Sequence, residues 1–242
     1  MHCFYIETPM GDIAALPKDE AKHAAKVLRL KPGDRVCAMD GAGGRWDAEI
    51  ARVDGGEVAL RLDTALPSNE APVSVTVYQG VPKADKLDFI TQKLTELGAA
   101  ALCPVKMDRC VVRLDDRDGV KRQERLSRIA AEAAKQCRRG RPLEVSPPVD
   151  WRAAIERMRA HDLLLLPWEE ASGRRMKDVR ATYPDAVNIG IVIGSEGGIS
   201  PEEVSALEAV GAQTITLGPR ILRTETASIA AAAMAMALWG DL

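Results

Sequence analysis

The sequence predicts an α/β protein, with a mostly parallel sheet over residues 73–242 and a small β-rich domain over residues 1–66 before it. Three observations predict this. After residue 73, apolar runs suited to strands alternate with helical repeats, the pattern of parallel strands joined by helices. Before residue 66 the strands are short and too many for one helix to cover, which favours a compact barrel. Between the two, Leu66-Pro-Ser-Asn-Glu-Ala-Pro72 has the composition of a linker.

In chain order, residues 4–6 read as a strand and 18–28 as a helix with Ala24, Val27 and Leu28 on one side. Residues 36–39 and 45–53 flank Gly41-Ala-Gly-Gly44, a hairpin signal, and no helix follows to make that cluster a phosphate loop. Residues 58–62 supply a further strand. Past the linker, 73–79 alternates as a strand. Residues 84–97 place Leu87, Ile90, Leu94 and Leu97 on one helical stripe that Gly98 stops. A strand at 101–105 precedes a basic helix, about 120–137, that buries Leu126, Ile129, Ala130, Ala133 and Cys137. Residues 151–159 form another helix. The unbroken apolar run 163–166 suits a strand covered on both faces. The last helix, 225–239, is rich in small residues, which suits either alanine's helix propensity or close approach of another backbone.

Composition narrows the function. No apolar run reaches the 18 residues of a membrane span, and the first ten residues lack the basic and apolar segments of a signal peptide. Five cysteines without a C-x-x-C and three scattered histidines argue against a disulfide framework or a metal centre, and suit a reducing cytoplasm. The net charge of −2 is unevenly spread. Residues 83–142 hold 15 Lys and Arg against 9 Asp and Glu, and residues 121–141 hold 8 against 2. Such a segment suits a phosphate-facing surface, and equally a solvated helix face.

The chemistry concentrates at 191–227. An apolar run, 187–193, ends in Gly194-Ser195-Glu196-Gly197-Gly198, and a helix start follows at once. Ser200 is its N-cap, Pro201 its first residue, and Glu203 completes a capping box. A second strand, 214–217, runs into Gly218-Pro219 and the arginines 220 and 223. Two strand ends thus deliver two glycine loops, where open α/β sheets bind ligands. The spacing is not that of a dinucleotide fingerprint, no acid ends the following strand, and no Gly-Lys-Ser/Thr marks a P-loop. Spacing alone leaves plain tight turns open as well.

The wording of these loops, GSEGGIS and LGPRILRTETA, resembles the 16S rRNA (uracil-N3)-methyltransferase family of the knotted SPOUT class. Lys83-Ala-Asp-Lys86, Gln92-Lys-Leu-Thr-Glu-Leu-Gly98, Glu132-Ala-Ala-Lys-Gln136 and Val27-Leu-Arg-Leu30 also resemble that family's motifs, in its order. Ser195 and Ile199 depart from the usual proline and phenylalanine. The resemblance implies an N-terminal PUA-like RNA-binding barrel and a C-terminal trefoil-knot methyltransferase domain. It also implies S-adenosyl-L-methionine as cofactor, no metal, a homodimer, and 16S rRNA of the small ribosomal subunit as substrate. Cofactor contacts then fall to Leu166, Ile193, Gly194, Gly197, Gly198, Leu217, Gly218, Ile221, Leu222 and Arg223. RNA contacts fall to Arg29, Lys86, Arg109, Arg139 and Arg141.

Methyl transfer to a uracil N3 needs alignment, and it needs the N3 proton to leave. Glu196 and Glu225 are the carboxylates at hand, and Arg220 and Arg223 the cations that can stabilise charge on the uracil carbonyls. Arg223 stands first among them. Two other readings remain: a non-catalytic RNA-binding or assembly protein, and a SPOUT enzyme that acts on tRNA or another rRNA base.

Overall fold

The computed structural model describes residues 1–112 and 116–242. Contacts divide it into two compact units, Met1–Glu70 with Glu132–Pro142, and Ala71–Ala131 with Leu143–Leu242.

In the first unit, β1 (Cys3–Tyr5), β2 (Ile13–Ala15), β3 (Arg35–Met39), β4 (Arg45–Asp54) and β5 (Glu57–Ala65) form a sheet in the order β1-β3-β4-β5-β2. The hairpin expected around residues 41–44 joins β3 to β4. Asp40 Oδ1 accepts the N–H groups of Ala42 and Gly44 at 2.7 and 2.8 Å, which fixes the turn. The sheet curls into a half-barrel, and the Glu7 N–H donates to the Ala15 carbonyl at 3.0 Å, joining the chain after β1 to β2. Phe4, Val36, Ile50 and Leu60 are buried among its core residues. Burial of each such side chain is worth about 1.5–3 kcal/mol.

The expected helix over 18–28 is α-helical only in α1 (Lys18–Lys22) and widens to a π-helical turn over His23–Val27. It ends at Arg29, whose φ of 54° is the left-handed conformation that glycine usually takes at a helix end. Arg29 is exposed there.

The segment Glu132–Pro142 carries a correction. Arg139, expected to meet RNA, is only 4% exposed. Its Nη2 and Nε donate to Glu70 Oε2 at 2.7 and 3.2 Å. The guanidinium therefore closes this unit from within, because removing it would strand a half-buried carboxylate. Arg141 is exposed and donates Nη2 to the Ala42 carbonyl at 2.8 Å.

In the second unit, β6 (Ser74–Gly80), β7 (Ala101–Lys106), β8 (Glu144–Val145), β10 (Leu163–Pro167), β11 (Asn188–Ile193) and β12 (Gln213–Ile215) lie in the order β12-β10-β11-β6-β7-β8, and β9 (Val149–Asp150) also pairs with β7. Every pairing is parallel. All of β10 and five of six residues of β11 are buried, as continuous apolar runs require when helices cover both faces. The helices are α2 (Lys86–Glu96), α3 (Asp116–Cys137), α4 (Trp151–Met158), α5 (Met176–Thr182), α6 (Pro201–Ala209) and α7 (Thr224–Trp239). Alignment of the strands brings the residues after β6, β10, β11 and β12 to one edge. The small residues of α7 have an internal use: Ser228, Ala231, Ala232 and Ala235 are fully buried, and the helix packs on α2, α5, β6 and β11.

Candidate active site

At that edge lies a cavity of about 410 Å³. Its walls come from three chain segments, 167–169, 193–199 without Gly197, and 216–224, together with Lys86 and Ala227. The first loop is tightly wound. A Cβ on Gly194 would stand 2.8 Å from the Gly198 carbonyl carbon, and one on Gly80 would stand 2.6 Å from the Ser195 nitrogen, so larger residues would push the loop off the sheet. The capping box expected at Ser200 forms in both directions, with Glu203 N–H to Ser200 Oγ at 3.3 Å and Ser200 N–H to Glu203 Oε2 at 2.9 Å. Glu203 Oε1 also accepts the Asp108 N–H at 2.9 Å, which anchors the neighbouring segment.

Arg109, expected on RNA, is committed partly to this loop, since its Nη1 donates to the Gly197 carbonyl at 3.2 Å and its own carbonyl accepts Ser195 Oγ at 3.1 Å. Gly197 does not line the cavity. A Cβ there would meet Arg109 Cβ at 2.8 Å, so its role is to let that backbone approach. Leu166 is not a wall either. It is fully buried in β10, opposite Thr214, and the wall is made by the next residues, Pro167, Trp168 and Glu169.

The second loop, 216–223, presents Leu217, Gly218, Ile221, Leu222 and Arg223 to the cavity. Gly218 has φ +120°, and a Cβ there would touch nothing within 4 Å, so its glycine serves backbone conformation rather than space. The N–H groups of Ile221 and Leu222 have no hydrogen-bond acceptor among the described residues. Arg223 is exposed at the N-cap of α7, and its side chain makes no cap bond.

Lys86 is the connection that the sequence does not reveal. It lines the cavity, and its Nζ stands 3.0 Å from Glu196 Oε1 and 3.3 Å from Glu225 Oε2. Both approaches are ion pairs, and Glu225 Oε2 is buried with no other hydrogen-bond partner. Glu225 stands behind Lys86 and outside the cavity wall, whereas Glu196 is part of it. Partial burial works to raise the Glu196 carboxyl. Hydrogen bonds from Lys86 and from the Lys83 N–H, 3.0 Å away, outweigh it, and Glu196 sits below the usual glutamate value. Lys86 is raised in turn by its hydrogen bond to Glu196. Among the described residues, no three His, Cys, Asp or Glu side chains gather as a metal site, and no helix is long and apolar enough to cross a membrane.

The family of RNA methyltransferase domains matches residues 69–236, and the RNA methyltransferase PUA domain matches residues 16–63. A ribosomal RNA small subunit methyltransferase E from Bacillus subtilis is 34% identical over 241 residues, covering 95% of this chain and 93% of its own. The chain belongs to this methyltransferase family. One from Mycobacterium tuberculosis is 33% identical over 94% of this chain and 88% of its own. The crystal structure of a ribosomal RNA small subunit methyltransferase E from Neisseria gonorrhoeae, bound to S-adenosyl methionine, superposes with a TM-score of 0.88 at 31% identity, covering 100% of this chain and 99% of that one.

Proposed function

We propose that this chain methylates N3 of a specific uridine in the decoding region of 16S rRNA within the small ribosomal subunit, with S-adenosyl-L-methionine as donor. The observation that carries the reading is one cavity, at the carboxyl ends of parallel strands, lined by both Arg223 and Glu196 in a chain of this family. The residues present fit the cofactor. Ile193, Leu217, Ile221 and Leu222 offer apolar surface to a flat uncharged ring, and the unpaired N–H groups of Ile221 and Leu222 offer donors to its nitrogens. When bound, the cofactor supplies an electrophilic methyl group on a sulfonium.

The chain's own residues do the rest. Arg223 holds the uracil carbonyls and stabilises the charge that grows on them. Glu196, kept ionised by Lys86, receives the N3 proton, and Glu225 holds Lys86 from behind. Arg29 and Arg141 are exposed for phosphate contacts, and the strained backbone at Arg29 supports a functional use for it. The family resemblance further supports a PUA-like domain near 1–66, a trefoil-knot catalytic domain over 73–242 and a cytoplasmic location.

Calorimetry with a chelator present tests the cofactor. Binding is expected to survive the chelator and to weaken about tenfold in Gly218→Val, since a β-branched residue resists φ +120°. Loss of binding with the chelator removes the metal-free reading. Labelled methyl transfer to small subunits but not to tRNA, mapped to a uridine N3, tests the substrate. A two-fold homodimer is the proposed assembly. Sedimentation at micromolar concentration should give twice the 26.1 kDa chain mass, and a clean monomer refutes it.

A further inference from the structure

Beneath the cavity, a polar side chain occupies a place in the sheet that an apolar one could fill. Gln79, one residue from the end of β6, is fully buried. Its Nε2 donates to the Gly80 carbonyl at 2.9 Å and to the Gly194 carbonyl at 3.1 Å, and it stands 2.9 Å from Thr224 Oγ1. Its Oε1 accepts the Ser228 hydroxyl. The Thr224 hydroxyl donates to the same Gly194 carbonyl at 2.6 Å. The amide has one workable orientation. Turned over, its oxygen would face the Gly80 and Gly194 carbonyl oxygens, three acceptors with no donor between them.

This arrangement joins three segments: the end of β6, the first residue of the glycine loop, and the first turn of α7. Gly194 lies two residues before Glu196, and Thr224 follows Arg223 directly. The geometry points to Gln79 as a positioning residue for methyl transfer, setting through Gly194 and Thr224 the distance between the loop that carries Glu196 and the helix start that carries Arg223. The inference rests on the methyl-transfer reading above. Gln79 itself does not line the cavity.

The test separates positioning from support of the fold. Gln79→Met keeps the volume and removes both donors and the acceptor. Turnover is expected to fall about 30-fold, as for a displacement of reacting groups by a fraction of an ångström, while the cofactor Kd stays within about threefold. Thr224→Val should reproduce the loss, and Thr224→Ser, which keeps the hydroxyl, should recover most of it. The double variant Gln79→Met with Thr224→Val should be little worse than either alone, because both act through the Gly194 carbonyl. Full turnover in Gln79→Met, measured below its melting temperature, overturns the inference. So does a double variant whose losses multiply. If Gln79→Met does not fold, equal turnover in Thr224→Val and Thr224→Ser overturns it as well. Calorimetry and turnover of the unaltered chain test the underlying reading separately.

Discussion

Replacing Arg223 by alanine is expected to lower turnover by about 100-fold or more while the cofactor Kd changes only a few-fold, the usual cost of losing a donor aimed at developing charge. The guanidinium lines the cavity, is exposed, and has no ion-pair partner among the described residues. A loop-tying role would need a carboxylate, and the nearest candidate in sequence, Glu225, is paired with Lys86 instead. An arginine does not lose its proton near neutral pH, so its contribution is electrostatic and geometric rather than that of a base. Arg223→Lys should therefore recover only part of the rate, since an ammonium lacks the planar fork that spans two carbonyl oxygens. Single-turnover kinetics and calorimetry on the same variant decide the matter. A parallel fall in affinity and rate would return Arg223 to a structural role, and an unchanged rate would end its catalytic assignment.

Glu196→Gln should cost a comparable factor, about 100-fold in turnover, within the range for removal of a general base. The amide keeps the shape and can still accept the Lys83 N–H, so the loop should hold its course while the charge is lost. The pH dependence has a definite sign. Folded Glu196 lies below the usual glutamate value despite partial burial, because Lys86 and the Lys83 N–H bond its ionised form. The stabilisation from that pairing is present in full above the ordinary glutamate range, and it disappears as the pH falls through the lowered folded value. Carbon-detected NMR of the glutamate carboxyls should show Glu196 titrating below the exposed glutamates. In Lys86→Met its midpoint should rise. A midpoint that does not move in Lys86→Met would show that the lysine does not govern the carboxylate.

Much of the second unit was legible because its signals are local and redundant. The run 163–166 can hardly be anything but a covered strand, and Ser200, Pro201 and Glu203 mark a helix start by hydrogen-bond chemistry confined to four residues. What escaped was short or non-local. The strands β2, β8 and β9, of three, two and two residues, and the seven-residue α5 are too brief for a period to register. Lys86 reads as one more cation on a helix, and only folding brings it beside Glu196 and Glu225, more than 100 residues away. Arg139 looked like part of a basic face because nothing in sequence links it to Glu70, its partner across 69 positions. The two glycine loops did signal their site, yet glycine spacing could not say which residue faces the cavity. Gly197 turns away toward Arg109, and Pro167 rather than Leu166 begins the third wall.

The first compact unit is stitched from two stretches of chain, Met1–Glu70 and Glu132–Pro142. In the order of synthesis it is therefore still incomplete when its first stretch ends at Glu70, and it waits for Pro142. When residue 70 is joined, Glu70 has no Arg139 to pair with, Glu20 has no Lys135, and the turn at Gly43 has no Gly140 carbonyl to bind. Those partners arrive only after α2 and β7 of the second unit have been made. A nascent chain that builds its domains one after another from the N-terminus would stall on this arrangement. Here the first unit closes only after residues 71–131 of the second have been made, and a message cut after the 66th codon would encode a half-barrel without its closing clasp.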